Sequence, residues 1–467
     1  MDTAISSLSL AEVGKLFADG TLSPVDVAQQ SLARADERRD LNVFVIAAPA
    51  DEVLASARAS EARWRNGEAR GPLDGVPYTV KDAIITREWP TLGGSLTVGP
   101  KDCLFEDAPA VARMREQGAI LLGKTTTPEF GWKAVTDSPL TGVTGNPWNP
   151  ALTPGGSSGG SAAALAAGIG HVAIGTDAGG SVRIPAAFCG LVGMKATRGR
   201  VPAYPFSGLW ALTHIGPMTR TVRDASLMLA VMTQPDPRDW NGLPPDPTFQ
   251  SWDDIETSLK GVRIAYSPTF GYGHVQPDIA AGVEAAVRVF AALGADIDIV
   301  EAPFADPTPA LRILFACALA HSTRKLSEAR RNLMEPALRQ FIAYGQSISR
   351  TAFMEANETS MMLSREMRLF HRKYAMLLSP TVAVAPFATG TLSPPGYDPD
   401  DWLSWSPFTY PFNMSGQPAI SVPCGLTSQG LPIGLQLVGP HYSERFLLGA
   451  ARAFEAANPR AVKLPGA

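Results

Sequence analysis

The segment from residue 155 to residue 200 constrains this chain more than any other part of its sequence. It holds 12 glycines in 46 positions, whereas the whole chain holds 43 in 467. Glycine adopts backbone conformations that other residues avoid, and it lets one segment approach another closely. We therefore expect residues 155–200 to form tight turns and close contacts around a compact feature, and not a long regular element.

The residues within and around this segment predict short, buried elements. Small residues at 161–167 predict a closely packed helix, and the apolar run at 172–175 predicts a buried strand. A glycine-rich loop and a short helix after Pro185 should follow. Further apolar runs at 76–80 and 119–122 also predict buried strands.

Strand and helix patterns alternate along most of the remaining chain. Residues 262–300 predict a β-α-β unit, residues 308–375 are mostly helical, residues 376–386 predict a strand, and residues 419–438 predict a hairpin. This alternation is typical of the α/β class. Charged residues make up only 18% of the chain, against about 25% in typical domains. A low charged fraction favours one large body with a broad core.

Charge and cysteine usage exclude several classes of protein. Lys and Arg total 40 and Asp and Glu total 44, so nucleic acid is not an expected partner. The weakly polar stretch at 161–175 is too short to span a membrane. The four cysteines lie far apart, which predicts neither a disulfide framework nor a metal site. No signal peptide is visible, so we expect a cytoplasmic chain. No cluster of His, Cys and Asp has the spacing of metal ligands, so we expect no cofactor.

Two short motifs match known patterns but lack the right context. Gly118 to Thr125 satisfies the phosphate-binding pattern GxxxxGK[ST], yet Ala-Ile-Leu-Leu occupies the positions where a loop of small residues is needed. Gly156 to Gly160 satisfies GxSxG, which would make Ser158 the nucleophile of an α/β-hydrolase esterase. Pro150 and Pro154 break the strand which that elbow requires, so this interpretation is a remote alternative.

Three residues stand in settings that suit amide hydrolysis, which needs a nucleophile, a base and donors for an oxyanion. Ser181 follows two glycines, which let backbone N–H groups converge on one point. Lys81 ends an apolar strand, and burial would lower its pKa enough for it to act as a base. Ser157 lies in the other glycine-rich turn. Taken singly, each has a simpler explanation as a turn serine, a helix N-cap or a surface lysine.

A long constellation joins these residues. Gly155-Gly-Ser-Ser-Gly-Gly-Ser161 leads into Gly175-Thr-Asp-Ala-Gly-Gly-Ser-Val-Arg183, and Asp74-Gly-Val-Pro-Tyr-Thr-Val-Lys-Asp82 lies upstream. Supporting segments occur at 122–130, 146–148, 190–195 and 416–423. Together these segments closely resemble the amidase signature family, over nearly the whole chain.

The resemblance implies a role for each of these positions. Ser181 would be the acyl-forming nucleophile, Ser157 a proton relay after a cis bond from Gly156, and Lys81 the general base. The implied oxyanion hole is formed by the backbone N–H groups of Ala178, Gly179, Gly180 and Ser181. Residues expected to brace the site are Ser158, Asp177 and Arg183.

The resemblance also implies one large domain with a central, twisted, mostly parallel or mixed sheet covered by helices on both faces. Within this single domain (1–467) we distinguish a helical N-terminal segment (1–66), a catalytic core (70–232), a more variable part that shapes specificity (236–400) and a C-terminal return to the core (401–467). The proline-rich stretch 233–252 would be an internal loop.

The predicted substrate is a small-molecule amide with an apolar or aryl group. Phe130, Trp132 and Trp210 are the candidate pocket residues, although most such aromatics serve as core residues in any protein. The same question applies to the aromatic residues in the loop-like stretch at 402–410, which are Trp402, Trp405, Phe408 and Tyr410. One family branch is the A subunit of glutamyl-tRNA amidotransferase, which carries an acidic residue where this chain has Ser406. That difference favours a free-standing amidase; whether the chain forms a homodimer is left open.

Overall fold

The computed structural model describes residues 2–209, 211–246, 255, 257–458 and 462–465. The predicted pocket residue Trp210 and part of the predicted loop at 233–252 lie outside the described residues. Over residues 233–246 the chain forms neither helix nor strand, as the prolines there predict.

Eleven strands of the described chain form one mixed sheet in the order β1-β3-β2-β6-β8-β7-β12-β13-β11-β9-β10, and a two-stranded sheet pairs β4 with β5. The strands are β1 Phe44–Ala47, β2 Pro77–Lys81, β3 Ile120–Thr125, β4 Asp137–Ser138, β5 Gly142–Val143, β6 Val172–Asp177, β7 Val192–Lys195, β8 His214–Thr219, β9 Arg263–Tyr266, β10 Asp296–Ile299, β11 Met376–Pro380, β12 Ala419–Leu426 and β13 Pro432–Val438.

Helices flank this sheet. They are α1 Asp2–Ser7, α2 Leu10–Ala18, α3 Pro24–Glu37, α4 Ala50–Asn66, α5 Pro109–Glu116, α6 Gly159–Ala166, α7 Arg183–Cys189, α8 Val222–Met232, α9 Pro277–Ala292, α10 Thr308–Ser322, α11 Glu328–Arg331, α12 Pro336–Ser347, α13 Arg350–Phe370, α14 Pro411–Ser415 and α15 Glu444–Ala457. The α/β class and the single mixed sheet are confirmed.

Successive residues of a strand contribute to cores on opposite faces of the sheet, because neighbouring side chains of a strand point to opposite faces. Val172 and Ile174 of β6 join the larger core, to which α5, α8, α9 and α15 contribute. Ala173 joins a cluster with α6 and α7 on the other face. A third cluster, rich in aromatic residues, is formed by α10, α12, α13 and residues 402–414. The sheet is therefore covered on both faces.

The parallel pairs that place the site are those of β2 with β3 and with β6. Antiparallel pairs join the remaining central strands, from β6 through β8, β7 and β12 to β13 and β11. β9 pairs in parallel with β10 and β11, and the hairpin of β12 and β13 forms as predicted.

Three predicted boundaries were wrong. The helix expected after Pro185 begins at Arg183, because proline is readily accommodated in the first turn of a helix. The strand expected from residue 119 to 122 continues through Lys124 to Thr125, so the GxxxxGK[ST] match lies in a strand and forms no phosphate loop. The strand predicted at 376–386 ends at Pro380.

Candidate active site

Lys81 stands at the carboxyl end of β2, beside the carboxyl end of β6. Because these two strands are parallel, their last residues meet at one edge of the sheet. Lys81 Nζ lies 2.6 Å from Ser157 Oγ and 2.8 Å from Thr176 Oγ1. The structure thus brings together two predicted residues that are 76 positions apart and adds Thr176, which sequence reasoning missed.

The surroundings of Lys81 favour its neutral form. Its side chain is fully buried. Among the described residues, no carboxylate forms an ion pair with it, and its hydrogen bonds go to two hydroxyls. Burial lowers the pKa of Lys81 to about 7, although the negative charge of Asp177 acts in the opposite direction. Such an amine exchanges protons readily near neutral pH.

Ser157 lies just before α6, in a turn that brings it against Lys81. The peptide bond between Gly156 and Ser157 is cis, as the resemblance implies. A second turn touches this pair through Gly131, whose φ is 66°. A Cβ at position 131 would lie 3.1 Å from Ser157 Oγ and 3.8 Å from Lys81 Nζ. In the sequence, Gly131 directly follows Pro128-Glu129-Phe130. This glycine could have indicated a close approach of the chain here, and the sequence analysis did not use it.

Ser181 lies in the loop between β6 and α7, two residues before the helix begins. Its carbonyl oxygen accepts the N–H of Ser158 at 3.1 Å, which ties the two serine-bearing turns together. The Ser181 side chain is only partly buried, and its Oγ has no hydrogen-bond partner among the described residues. It is therefore free to meet a substrate.

Four backbone N–H groups were predicted to form the oxyanion hole. Those of Ala178, Gly179 and Ser181 have no acceptor among the described residues. The N–H of Gly180 instead donates to Asp177 Oδ1 at 2.8 Å. Gly180 therefore differs from the prediction: its φ of 122° turns its N–H toward the bracing carboxylate.

Asp177 and Arg183 form a fully buried ion pair under this loop. Two guanidinium nitrogens donate to the two carboxylate oxygens at 2.9 Å each. Burial alone would raise the pKa of Asp177, but the positive charge of Arg183 holds it below its usual range. Arg183 also donates to three C-terminal partners, which are the Thr409 carbonyl, Gln436 Oε1 and Asn413 Oδ1.

Ser158 occupies a bracing position and not a nucleophile elbow. Its side chain is fully buried, and its Oγ lies 3.2 Å from the carbonyl and 3.3 Å from the N–H of Thr176. No strand runs directly into this turn, because the preceding strand ends at Val143. These observations disfavour the esterase alternative.

The predicted pocket residues Phe130 and Trp132 belong to one short turn beside Ser157. Phe130 is half-buried, with a φ of 51°, and packs against the aromatic cluster. Trp132 is buried in that cluster, and its indole N–H donates to Glu335 Oε2 at 2.9 Å. Their contact with a substrate stays a prediction.

Residues 402–410 form one wall of the site. From the sequence, this segment could be recognised only as rich in aromatic residues. A Cβ at Gly179 would lie 3.3 Å from Trp402 Cη2 and 3.9 Å from Tyr410 Cβ. Thr409 Oγ1 donates to the Gly179 carbonyl at 2.6 Å. These C-terminal residues therefore both support the loop that carries Ser181 and lie against it.

Two kinds of feature are absent from the described chain. No helix there is long and apolar enough to cross a membrane. No group of three or more His, Cys, Asp or Glu side chains in the same residues could hold a metal ion.

A family model described as Amidase matches residues 26–448. The chain belongs to the amidase signature family. It is 34% identical to an acylamidase of Rhodococcus erythropolis over 98% of this chain and 97% of that protein. It is 31% identical to the A subunit of a glutamyl-tRNA(Gln) amidotransferase from Alkaliphilus metalliredigens (strain QYMF), over 97% of this chain and 96% of that protein.

Solved structures agree with this membership. A bacterial aryl acylamidase of the amidase signature family superimposes with a TM-score of 0.88 at 32% identity, covering 97% of this chain and 96% of that one. Family membership and the acylamidase relatives make this chain an amidase, a hydrolase of carbon–nitrogen amide bonds.

Proposed function

We propose that this amidase cleaves a small carboxylic amide with an apolar or aryl group to an acid and an amine, through an acyl-enzyme on Ser181. One observation carries the proposal. Within the part of the chain that the structure describes, Lys81 is buried without a carboxylate partner and lies 2.6 Å from Ser157 Oγ, which suits it to take a proton at neutral pH.

The proposed reaction begins when Ser181 Oγ attacks the amide carbon. Its proton passes through Ser157 to neutral Lys81, and the developing oxyanion is stabilised by the N–H groups of Ala178, Gly179 and Ser181. Lys81 returns the proton through Ser157 to the leaving nitrogen as the C–N bond breaks. Water then attacks the acyl-enzyme by the same route and releases the acid.

The substrate class is proposed from the wall of the site and from the relatives. Trp402 and the half-buried Phe130 are apolar surfaces near the reacting loop. An acylamidase and a structure of an aryl acylamidase are among the similar proteins. A panel of anilides, aryl amides, short aliphatic amides and malonamate-like acids tests this, and a preference for the charged acids would contradict it.

A second candidate is the glutaminase-type A subunit of an aminoacyl-tRNA amidotransferase, which the 31% identical relative favours. Ser406 stands where that branch has an acidic residue. Its Oγ donates a hydrogen bond to the Trp402 carbonyl at 3.0 Å. Assaying the purified chain alone separates the two. Hydrolysis of simple amides without a partner supports the amidase, whereas ammonia release from glutamine only with partner proteins supports the alternative.

A further inference from the structure

A cavity of about 190 Å³ lies beside the Lys81 site, and the proposed reaction does not yet use it. Three aromatic side chains line its mouth, which are those of Tyr204, Phe206 and Trp240. Phe206 and Trp240 are 46% and 66% exposed, and their rings lie 6.2 Å apart. Tyr204 packs edge-on against Phe206 at 6.4 Å. An aromatic mouth of this kind suits a flat, apolar ligand.

The other end of the cavity reaches the proton relay. Its lining includes Thr176, and also Ala83 and Ile84 shortly after Lys81 in the chain. Thr176 Oγ1 is 2.8 Å from Lys81 Nζ. Neither Ser157 nor Ser181 is among the described residues that line it. Lys81 does not line it either, so the cavity borders the relay through Thr176.

This placement separates the two halves of an amide. The acyl carbon must sit at Ser181 Oγ, where Gly179 and Trp402 form the neighbouring wall. The leaving nitrogen must come within hydrogen-bond reach of the relay that returns its proton. In the proposed route Ser157 delivers that proton, and Thr176, which lines the cavity, bonds to the same Lys81 Nζ as Ser157. A substituent on the nitrogen can therefore extend past Thr176 into the cavity.

The size of the cavity limits what that substituent can be. An apolar cavity of about 150 Å³ in another protein binds benzene. A cavity of about 190 Å³ accordingly has room for one substituted aromatic ring.

We propose that this cavity binds the amine half of the substrate, and that the preferred amine half is a single aromatic ring, so that the amidase cleaves anilide-type amides. The proposal rests on the proposed function. In the reaction, the bond between Ser181 Oγ and the acyl carbon forms and the C–N bond breaks. The arylamine leaves with the proton that Ser181 lost.

Two isomeric substrates test the assignment. Acetanilide carries its ring on the amine half, and 2-phenylacetamide carries it on the acyl half. The quantity compared is the ratio of kcat/KM for acetanilide to kcat/KM for 2-phenylacetamide. We expect Phe206→Ala and Trp240→Ala each to lower this ratio about two- to tenfold, the range of a lost aromatic contact. Phe105→Ala is the matched control, because Phe105 is 51% exposed and does not line the cavity.

The outcomes distinguish a failure of the cavity assignment from a failure of the proposed function. An unchanged ratio in both variants overturns the proposal, and so does a raised ratio, which would place the acyl half in the cavity. If the parent hydrolyses no amide, the proposed function fails separately. The cavity is then tested by calorimetric titration of aniline into a Ser181→Ala protein. Binding that Phe206→Ala weakens and Phe105→Ala does not supports the cavity assignment, and absence of binding overturns it.

Discussion

Lys81 and Lys124 are the same residue type at neighbouring positions of one sheet, yet their surroundings differ. Lys81 is the last residue of β2 and Lys124 the last but one of β3, and across the pair Lys81 lies opposite Thr125 and Lys124 opposite Val80. Both side chains are fully buried. Lys124 Nζ lies 3.2 Å from Asp82 Oδ1 and also donates to the Pro90 carbonyl. Among the described residues, the hydrogen bonds of Lys81 Nζ go to the hydroxyls of Ser157 and Thr176.

Burial alone does not distinguish the two lysines, because both are buried; the carboxylate partner of Lys124 does. Burial lowers the pKa of both amines, but at Lys124 the Asp82 carboxylate opposes this and compensates the charge. Asp82 also accepts the N–H groups of Leu92 and Gly94, so this ion pair holds a loop. A buried lysine with a carboxylate is a structural element, and one with only hydroxyls is suited to proton transfer.

The largest effect should come from replacing Ser181, the proposed nucleophile whose proton Lys81 would accept. We expect Ser181→Ala to lower kcat on the order of 10⁶-fold, as removal of the nucleophile does in another serine hydrolase. Mass spectrometry with a slowly hydrolysed ester should detect an acyl-enzyme in the parent and none in the variant. Residual activity within tenfold of the parent would rule out this nucleophile.

Replacing Lys81 should remove the base without unfolding the chain. A lysine can act as a base only when neutral, and the neutral fraction of Lys81 grows as the pH rises through about 7. In the parent, kcat/KM should therefore rise with pH through about 7 and then level off. We expect Lys81→Met to lower kcat/KM about 10²- to 10⁴-fold and to abolish this rise. A variant that keeps the same pH profile would contradict the assignment.

Replacing Lys124 in the same way should change stability instead. Lys124→Met leaves Asp82 buried without its cation, which should cost about 3–5 kcal/mol of the free energy of unfolding. Urea unfolding of the two methionine variants measures the contrast, since Lys81→Met leaves no carboxylate without its ion-pair partner. If the pH–rate profile moves in Lys124→Met as it does in Lys81→Met, the two lysines do not have separate roles.

The smallest effect tests how closely the relay is packed. Gly131→Ala would place a methyl group 3.1 Å from Ser157 Oγ, and we expect about a tenfold loss of kcat, because small displacements of a reacting group are costly. Gly142→Ala is the control, since Gly142 has a similar φ of 73° and nothing within 4 Å of the added carbon. Equal losses in both variants would attribute the effect to backbone conformation alone.

The sequence predicted the site best where its residues are close together in the chain. The glycine-rich segment contained Ser157, Ser158, Asp177 and Ser181. The structure places the three serines in adjoining turns and Asp177 at the end of β6. Lys81 was predicted through the resemblance, and its burial follows from the end of an apolar strand. The mixed sheet and most element positions also followed from apolar runs and prolines.

The parts that could not be predicted depend on contacts distant in the chain. Gly131 lies against both Ser157 and Lys81, and Thr176 bonds to Lys81. Both contacts depend on the packing of strands and turns that are far apart in the chain. Glu129 is buried between Ser95 and the N–H of Glu335, which no local pattern indicates. The aromatic residues at 402–410 could not be divided between core and site, because both uses have the same composition.

Arg183 has a consequence for how the protein is made. Its guanidinium binds Asp177 within the catalytic segment, yet its other acceptors are Thr409, Asn413 and Gln436. On a ribosome, the loop that carries Ser181 emerges more than two hundred residues before the partners that hold it. A nascent chain that ends between residues 181 and 409 therefore contains Lys81, Ser157 and Ser181 but lacks the C-terminal contacts that hold the loop, so we expect hydrolysis to begin only late in synthesis.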